Sequence, residues 1–228
     1  MAAAVLFDWR ETLAHFEWDD RLLAEGHRAG LAAAGSPLDP AAFTRRFREE
    51  LLPALRPRGD YTALVQAELG VDRADADAFL VAEQDVWEPA VALVGGAHAL
   101  LEGVGRLGYA IGVVADHWPE PAPLALREIT RLGVAERVDA IVLAGEVGAE
   151  KPDPRIFVEA LARVGAAPDE CVFVGDDPVA DVQGAGELGM TTVQALWFRT
   201  DPNPAGIEPD VLAFTPADVL DALRGLAR

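Results

Sequence analysis

At 228 residues, 51% of them hydrophobic, the chain is long enough for one large domain or for a core domain carrying an insertion. Its formal charge of −19 argues against non-specific nucleic-acid binding, because a phosphate backbone would be repelled rather than neutralised. There is no run of about 18 apolar residues to span a membrane and no basic leader before the N-terminal apolar run; the single cysteine, Cys171, excludes an internal disulfide and suits a reducing compartment, so a cytoplasmic location is expected.

The first element is an apolar run, Ala2 to Phe7, that ends abruptly in Asp8. Such a run reads as a buried parallel strand. In open α/β sheets ligands gather beyond the carboxyl ends of the strands, which makes Asp8 a candidate functional residue. From about Glu17 to Glu88 the pattern is helical. Trp18, Leu22, Leu23 and Leu31 recur at helical spacing. Asp39 and Pro40 open a second helix as N-cap and first-turn proline. That helix carries Phe43, Phe47, Leu51 and Leu52 and is expected to stop near Pro53. Asp60 caps a third, which contains Leu64 and Leu69 and ends at Gly70; a fourth runs from about Ala74 to Trp87, before Pro89. The spacing predicts a small helical bundle inserted at residues 16–89.

From Gly95 onward helix and strand alternate. Helices are expected at Ala97–Leu107, Pro121–Leu132, Pro154–Val164, Val179–Leu188 and Pro216–Leu226, and strands at Tyr109–Val114, Val138–Leu143, Cys171–Val174, Thr191–Ala195 and Val211–Phe214. The stretch Asp201-Pro202-Asn203-Pro204 reads as a loop. This repetition specifies an α/β fold: a doubly wound, Rossmann-like parallel sheet core formed by residues 1–15 and 90–228, interrupted by the helical-bundle cap at 16–89.

Three stretches besides the first end an apolar run in polar residues or set a lone charge beside a turn. They are residues 111–116 ending in Asp116, residues 148–154 containing Lys151, and residues 172–177 ending in Asp176 and Asp177. Lys151 is the single lysine among 19 basic residues. In a chain that otherwise uses arginine, it marks a position needing a compact ammonium rather than a planar guanidinium. These stretches are expected to converge with Asp8 on one site.

Phe7-Asp8-Trp9-Arg10-Glu11-Thr12-Leu13, Lys151-Pro152-Asp153-Pro154-Arg155-Ile156-Phe157 and Val174-Gly175-Asp176-Asp177-Pro178-Val179-Ala180-Asp181-Val182 resemble motifs I, III and IV of the haloacid dehalogenase (HAD) superfamily. Gly184-Ala185-Gly186-Glu187-Leu188-Gly189-Met190 resembles the family's usual continuation, and the insertion after motif I has the size and helical character of its C1 cap. The resemblance implies a Mg²⁺-dependent hydrolase acting on a small phosphorylated metabolite, as a monomer or homodimer, with no nucleic-acid or membrane partner. Asp8 would be the nucleophile, forming an aspartyl-phosphate that water then hydrolyses. Asp8, Asp176 and the main-chain carbonyl of Arg10 would hold Mg²⁺, and Asp177 and Asp181 would orient those ligands. Lys151 would neutralise charge on Asp8 and the phosphoryl group, beside Ala115 and Asp116 at the substrate-binding motif II position. Independently of any resemblance, a cluster of motif IV carboxylates repels itself at neutral pH unless a cation joins it.

Four positions depart from the family pattern. Arg10 replaces the second aspartate of the phosphatases, and a guanidinium cannot shuttle the leaving-group proton. Glu11 stands where glycine is usual, and Ala115 where a serine or threonine would bind phosphate. Asp116 follows where asparagine is frequent, with Arg10 as its candidate partner. His15 and His117 flank the altered motifs, either as solvated loop residues or as a replacement acid or base. The arginines at 45, 46, 48, 56 and 58 fit either an anion-binding lid or a charged helix face, and Trp9 is expected to pack between core and cap. Two alternatives stay open. One is a catalytically degenerate member that binds metal or a phosphorylated ligand. The other is a dehalogenase-type member, which would share the missing second aspartate but not the acidic motif IV. A phosphonatase is disfavoured because the cap has no lysine.

Overall fold

Six of the apolar runs lie side by side in a parallel sheet in the computed structural model, which describes residues 3–17, 19–55, 60–116, 121–199 and 206–226. The strands in chain order are β1 (Ala4–Asp8), β2 (Ala14–His15), β3 (Ala92–Leu93), β4 (Ala110–Ala115), β5 (Ala140–Leu143), β6 (Cys171–Gly175), β7 (Thr191–Ala195) and β8 (Val211–Ala213). Across the large sheet the order is β5-β4-β1-β6-β7-β8. The chain therefore moves outward from β1 through β4 to β5, then crosses back and continues through β6 to β8. β1 lies at this reversal, where an open α/β sheet leaves a crevice at its carboxyl edge. Register aligns the strand ends: Asp8 stands opposite Val114, and Phe7 opposite Val174. All of β1 and β6 is buried, which is why both read as unbroken apolar runs rather than alternating ones. Gly112 lets the Leu6 side chain pack closely on β4, since a Cβ there would meet the Leu6 Cδ2.

The antiparallel pair of β2 with β3 was not expected, because two residues per strand are too few to show alternation. It closes a tight turn after Asp8. The Glu11 N–H donates to the Ala14 carbonyl at 2.7 Å, and the Leu13 and Ala14 N–H groups both donate to the Trp9 carbonyl at 2.9 Å. Glu11 has φ +59°, the left-handed conformation that favours glycine.

The chain folds as two compact units, Met1–His15 with Ala92–Asp116 and Ile129–Arg228, and Phe16–Val91 with His117–Glu128. The second is helical: α1 (Asp20–Ala33), α2 (Pro40–Arg46), α3 (Leu52–Leu55), α4 (Tyr61–Leu69) and α5 (Arg73–Trp87). Asp19, Asp39, Asp60 and Asp72 each cap a helix by accepting a backbone N–H. Pro53 does not stop the second helix as expected. A π-helical turn at Phe47–Leu51 leads directly into α3, and Pro53 is the second residue of that short helix. The segment around Leu124 and Arg127, within the 90–228 stretch of the sequence, clusters with this unit. Leu124 joins its apolar cluster, the Gln84 amide donates to the Leu124 carbonyl at 3.1 Å, and Arg127 pairs with Asp85 and Glu88. Inside the unit His27 is wholly buried, its Nδ1 2.9 Å from Thr44 Oγ1 and its Nε2 3.2 Å from the Glu83 carboxylate. Phe43, Phe47 and Phe79 surround that ring. Gly30 keeps α1 close to α5, because a Cβ there would overlap the Phe79 ring.

The remaining helices are α6 (Ala97–Arg106), α7 (Ala122–Arg131), α8 (Ala144–Val147), α9 (Pro154–Val164), α10 (Gly184–Gly186) and α11 (Pro216–Leu226). α9 buries Ile156, Phe157 and Leu161 in a cluster with Leu6 and Phe173, and the Phe157 and Phe173 rings meet edge to face at 5.2 Å. Among the described residues no helix is long and apolar enough to cross a membrane. Trp18, Arg56, Arg58, His117 and the stretch Asp201–Pro204 lie outside the described residues.

Phe79 is wholly buried and meets His27, Phe43 and Tyr61. Phe79→Ala is expected to cost about 3–5 kcal/mol, read as a lower midpoint in chemical denaturation. A loss under about 1 kcal/mol would contradict the packing described for this unit.

Candidate active site

Four loops at the carboxyl edge of the sheet build the site. Asp8 ends β1, Asp116 follows β4, Lys151 lies between α8 and α9, and Asp176 follows Gly175 at the end of β6. Local chemistry fixes each loop. Asp153 accepts the Arg155 N–H and Pro154 occupies the first turn of α9, so Lys151 is presented by the approach to a capped helix. Asp177 caps the π-helical turn Pro178–Gln183, its Oδ1 accepting from the Val179 and Ala180 N–H groups at 2.8 Å each. One turn on, Asp181 folds back and its Oδ2 accepts the Asp177 N–H at 2.9 Å. A Cβ at Gly175 would overlap the Asp181 carboxylate, so the strand must end in glycine for that return.

The Lys151 Nζ donates to Asp8 Oδ1 at 2.5 Å and to Asp181 Oδ1 at 2.6 Å. All three residues are buried. The Lys151 N–H donates to Asp116 Oδ1 at 3.1 Å, with Nζ 3.9 Å from Asp116 Oδ2. Burial opposes the ammonium, but Asp181, Asp8 and Asp116 hold its pKa well above the ordinary lysine value. Burial pushes the Asp8 carboxyl up to about 6 against the pull of Lys151, with Asp176 adding to the rise. Asp176 and Asp181 are also raised to about 6, first by burial; Asp181 pushes Asp176 further up, and Lys151 draws Asp181 down. Asp116 is raised chiefly by burial. Asp177 is buried enough to be raised, yet the Ala180 and Val179 N–H groups and Arg199 hold it below the usual carboxylate value.

Asp8, Asp176 and Asp181 each offer a carboxylate oxygen, and these atoms lie within 4.8 Å of one another. Three buried carboxyls so close, all pushed toward neutrality despite Lys151, form an all-oxygen donor set short of positive charge. That set fits a hard divalent cation.

Of the residues singled out from sequence, Asp8, Asp116, Lys151, Asp176, Asp177 and Asp181 come together here. Asp181, expected to orient ligands, stands among the metal-capable carboxylates themselves. Asp177 is a helix cap whose Oδ2 faces Arg199. Ala115 is fully buried at the end of β4 with no polar side-chain atom to offer. Arg10 bridges to Ala14 in the turn after Asp8. His15 places Nδ1 2.7 Å from Glu11 Oε2 and stacks on Phe198 at 4.1 Å. Trp9 is buried. In the helical unit Arg46 pairs with Glu50 and Glu68, and Arg48 with Asp20.

Sequence reasoning missed Arg199, whose Nε donates to Asp176 Oδ2 at 2.7 Å and whose Nη2 donates to Asp177 Oδ2 at 2.8 Å. It also missed Gln194, whose buried amide donates to the Asp176 carbonyl at 3.2 Å. Neither stands in a motif, and only the adjacency of β7 to β6 brings them to the site.

A divalent cation held by this cluster should stabilise the fold by mass action. At about 100 times its Kd the gain is about 2.7 kcal/mol, or roughly 5–10 °C in thermal midpoint for a chain of this size. Scanning calorimetry with and without Mg²⁺ should show that rise in the wild type and lose most of it in Asp176→Asn. An equal rise in both would place the cation elsewhere.

The sequence matches the model of the haloacid dehalogenase-like hydrolases over residues 2–189. A glyceraldehyde 3-phosphate phosphatase of Methanopyrus kandleri is 34% identical over 129 residues, which cover 54% of this chain and 53% of that protein; the match spans about half of that relative's length. A phosphoglycolate phosphatase of Xanthomonas campestris pv. campestris is 31% identical over 198 residues, covering 86% of this chain and 74% of the relative. Among solved structures, a HAD phosphatase from Thermococcus onnurineus superposes with a TM-score of 0.72 over 98% of both chains at 23% identity, a likeness of fold. The chain belongs to the haloacid dehalogenase-like hydrolase family.

Proposed function

We propose that the protein is a Mg²⁺-dependent phosphomonoesterase acting on a small phosphorylated metabolite through an aspartyl-phosphate on Asp8. The observation that carries this reading is the buried Lys151 ammonium 2.5 Å from Asp8 Oδ1, within the trio of carboxylates that can hold a metal. Relatives named as phosphatases support the same chemistry. In this reading the α/β unit, Met1–His15 with Ala92–Asp116 and Ile129–Arg228, carries the catalysis, and the helical unit is the cap.

A carboxylate oxygen of Asp8 attacks phosphorus, forming a P–O bond as the ester oxygen leaves. Water then attacks the same phosphorus, the Asp8–phosphorus bond breaks, and inorganic phosphate departs with the carboxylate restored. Asp8, Asp176 and the Arg10 carbonyl would hold Mg²⁺, which would supply Lewis-acid stabilisation of phosphoryl charge. Lys151 keeps Asp8 oriented and offsets charge at the phosphoryl group, and Asp181 holds the Lys151 ammonium in place. Asp177 shapes the motif IV turn through its two backbone acceptors. Ala115 and Asp116 border the phosphoryl group, with Asp116 restrained by the Lys151 N–H. Arg10 cannot protonate the leaving oxygen, so turnover should depend steeply on leaving-group basicity.

A second reading is favoured by Arg10 and by Ala115, which brings no hydroxyl to the phosphoryl corner: a protein that binds metal and a phosphorylated ligand without turnover. Hydrolysis of an aryl phosphate separates the two, because its good leaving group tolerates the missing acid. The wild type should turn it over only with Mg²⁺, and Asp8→Asn should lose at least about 10³-fold. No turnover by the wild type would sink the phosphatase reading. In Arg10→Asp, alkyl phosphate turnover should gain about 10²-fold or more relative to aryl phosphate, within the usual 10²–10⁴ range for general acid help. Equal effects on both substrates would show that leaving-group protonation is not what this position controls.

A further inference from the structure

Arg199 reaches the motif IV carboxylates from outside every motif. It follows β7, and its guanidinium forks over two consecutive residues, Nε to Asp176 Oδ2 at 2.7 Å and Nη2 to Asp177 Oδ2 at 2.8 Å. The pair is only half-buried, with side-chain exposures of 26% for Arg199 and 43% for Asp177. The exposed Asp177 half of the fork contributes little to folding stability, while the Asp176 half is more buried, with 13% side-chain exposure for Asp176. What a planar fork across two carboxylates does supply is orientation, since both acceptors must lie in its plane at fixed separation.

The segment carrying Arg199 is itself anchored on two sides. The buried Gln194 amide donates to the Asp176 carbonyl at 3.2 Å, so β7 and the residues after it hold Asp176 by backbone and side chain together. Phe198 stacks face to face on His15 at 4.1 Å, with 12° between the rings. His15 in turn places Nδ1 2.7 Å from Glu11 Oε2, in the turn that follows Asp8. Arg199 thus touches the turn after β6 directly, and Phe198 reaches the turn after Asp8 through His15. Arg199 engages one oxygen of Asp176, and a carboxylate has a second to offer a cation.

We propose that Arg199 is a positioning residue for the metal site, fixing the Asp176 carboxylate so that its free oxygen meets the Asp8 carboxylate at a bound divalent cation. The proposal rests on the metal-dependent reading above. Its specific content is that the geometry of the fork, beyond its charge, sets metal affinity. Removing a group that orients a metal ligand typically weakens metal binding about 10–100-fold, even though a cation has been taken away from the vicinity of the metal.

Isothermal titration calorimetry with Mn²⁺ alone, on wild type, Arg199→Gln, Arg199→Lys and Asp176→Asn, tests this, with the electron paramagnetic resonance signal of free Mn²⁺ as a second readout. The expected result is one site in the wild type, lost in Asp176→Asn. Kd should rise about 10–100-fold in Arg199→Gln, with most of that loss kept in Arg199→Lys. Metal-free thermal midpoints should stay within about 2 °C of wild type. The Mg²⁺ concentration for half-maximal aryl phosphate turnover should rise in parallel, while kcat at saturating Mg²⁺ is retained. Binding as tight as wild type or tighter in Arg199→Gln would overturn the proposal, showing that the guanidinium acts only as a competing charge. Full recovery of affinity in Arg199→Lys would overturn it too, because a point charge would then suffice. Absence of Mn²⁺ binding in the wild type would overturn the metal reading and this proposal together, an outcome distinct from intact binding that ignores Arg199.

Discussion

The structure of the α/β unit turns on one buried ammonium. Lys151 Nζ lies between Asp8 Oδ1 and Asp181 Oδ1, at 2.5 and 2.6 Å, where none of the three has appreciable access to water. A charge removed from water is costly unless it is both paired and hydrogen-bonded, so these groups can be buried only together. They come from the end of β1, the approach to α9 and the turn after β6. Joining them requires the strand order that seats β1 between β4 and β6. The same requirement explains the lone lysine. Two carboxylates that converge on one point suit a compact ammonium, whereas a guanidinium would spread its donors in a plane.

Small residues set the distances that this arrangement needs. Gly175 has no Cβ, and only for that reason can the Asp181 carboxylate return over the end of β6. Gly112 performs the same service deeper in the sheet, against Leu6. Glu11 is the contrary case: a side chain held at φ +59°, where strain of order 1 kcal/mol or more is usual for a residue other than glycine. Its carboxylate lies 2.7 Å from His15 Nδ1, which gives the strained turn a partner that glycine could not provide.

Much of this was legible in the sequence because burial on both faces leaves a direct trace. The runs ending at Asp8, Ala115 and Gly175 are continuous and apolar, and their terminal polar residues marked the site before any topology was known. Asp19, Asp39, Asp60 and Asp72 all cap helices; Asp39 and Asp60 were read as caps because each stands before a helical apolar pattern. What escaped was set by tertiary adjacency or by pieces too short for periodicity to register. Residues 14–15 and 92–93 pair as two-residue strands. The helix Ala122–Arg131 resembles any helix after a parallel strand, and the contacts of Leu124 and Arg127 with the helical unit show only in three dimensions. Pro53 does not end the helix because the chain runs from a π-helical turn, which a residue-by-residue pattern does not register, straight into α3. Arg199 was invisible for the same kind of reason: nothing local says that β7 lies beside β6.

The two cations of the site divide the work by shape. Lys151, on the buried side, is a point charge between Asp8 and Asp181; Arg199, on the half-exposed side, is a fork across Asp176 and Asp177. Neither relieves the centre of the cluster. Asp8, Asp176 and Asp181 still stand near 6 with both cations in place, so their oxygens, within 4.8 Å of one another, remain short of positive charge where they converge. A third monovalent side chain would have to bring its own stem into this crowded edge, past residues that already demand glycine at 175. A small divalent ion meets the charge demand without that volume, and its preference for oxygen donors matches what the three strand and turn ends present. The departures from the family pattern, Arg10, Glu11, Ala115 and Asp116, fall on the motif I turn and around the end of β4 rather than among these carboxylates. Within the proposed function, the capacity to hold a metal beside the nucleophile is therefore retained in this chain, while the groups that would assist the leaving oxygen and embrace the phosphoryl group have been rebuilt.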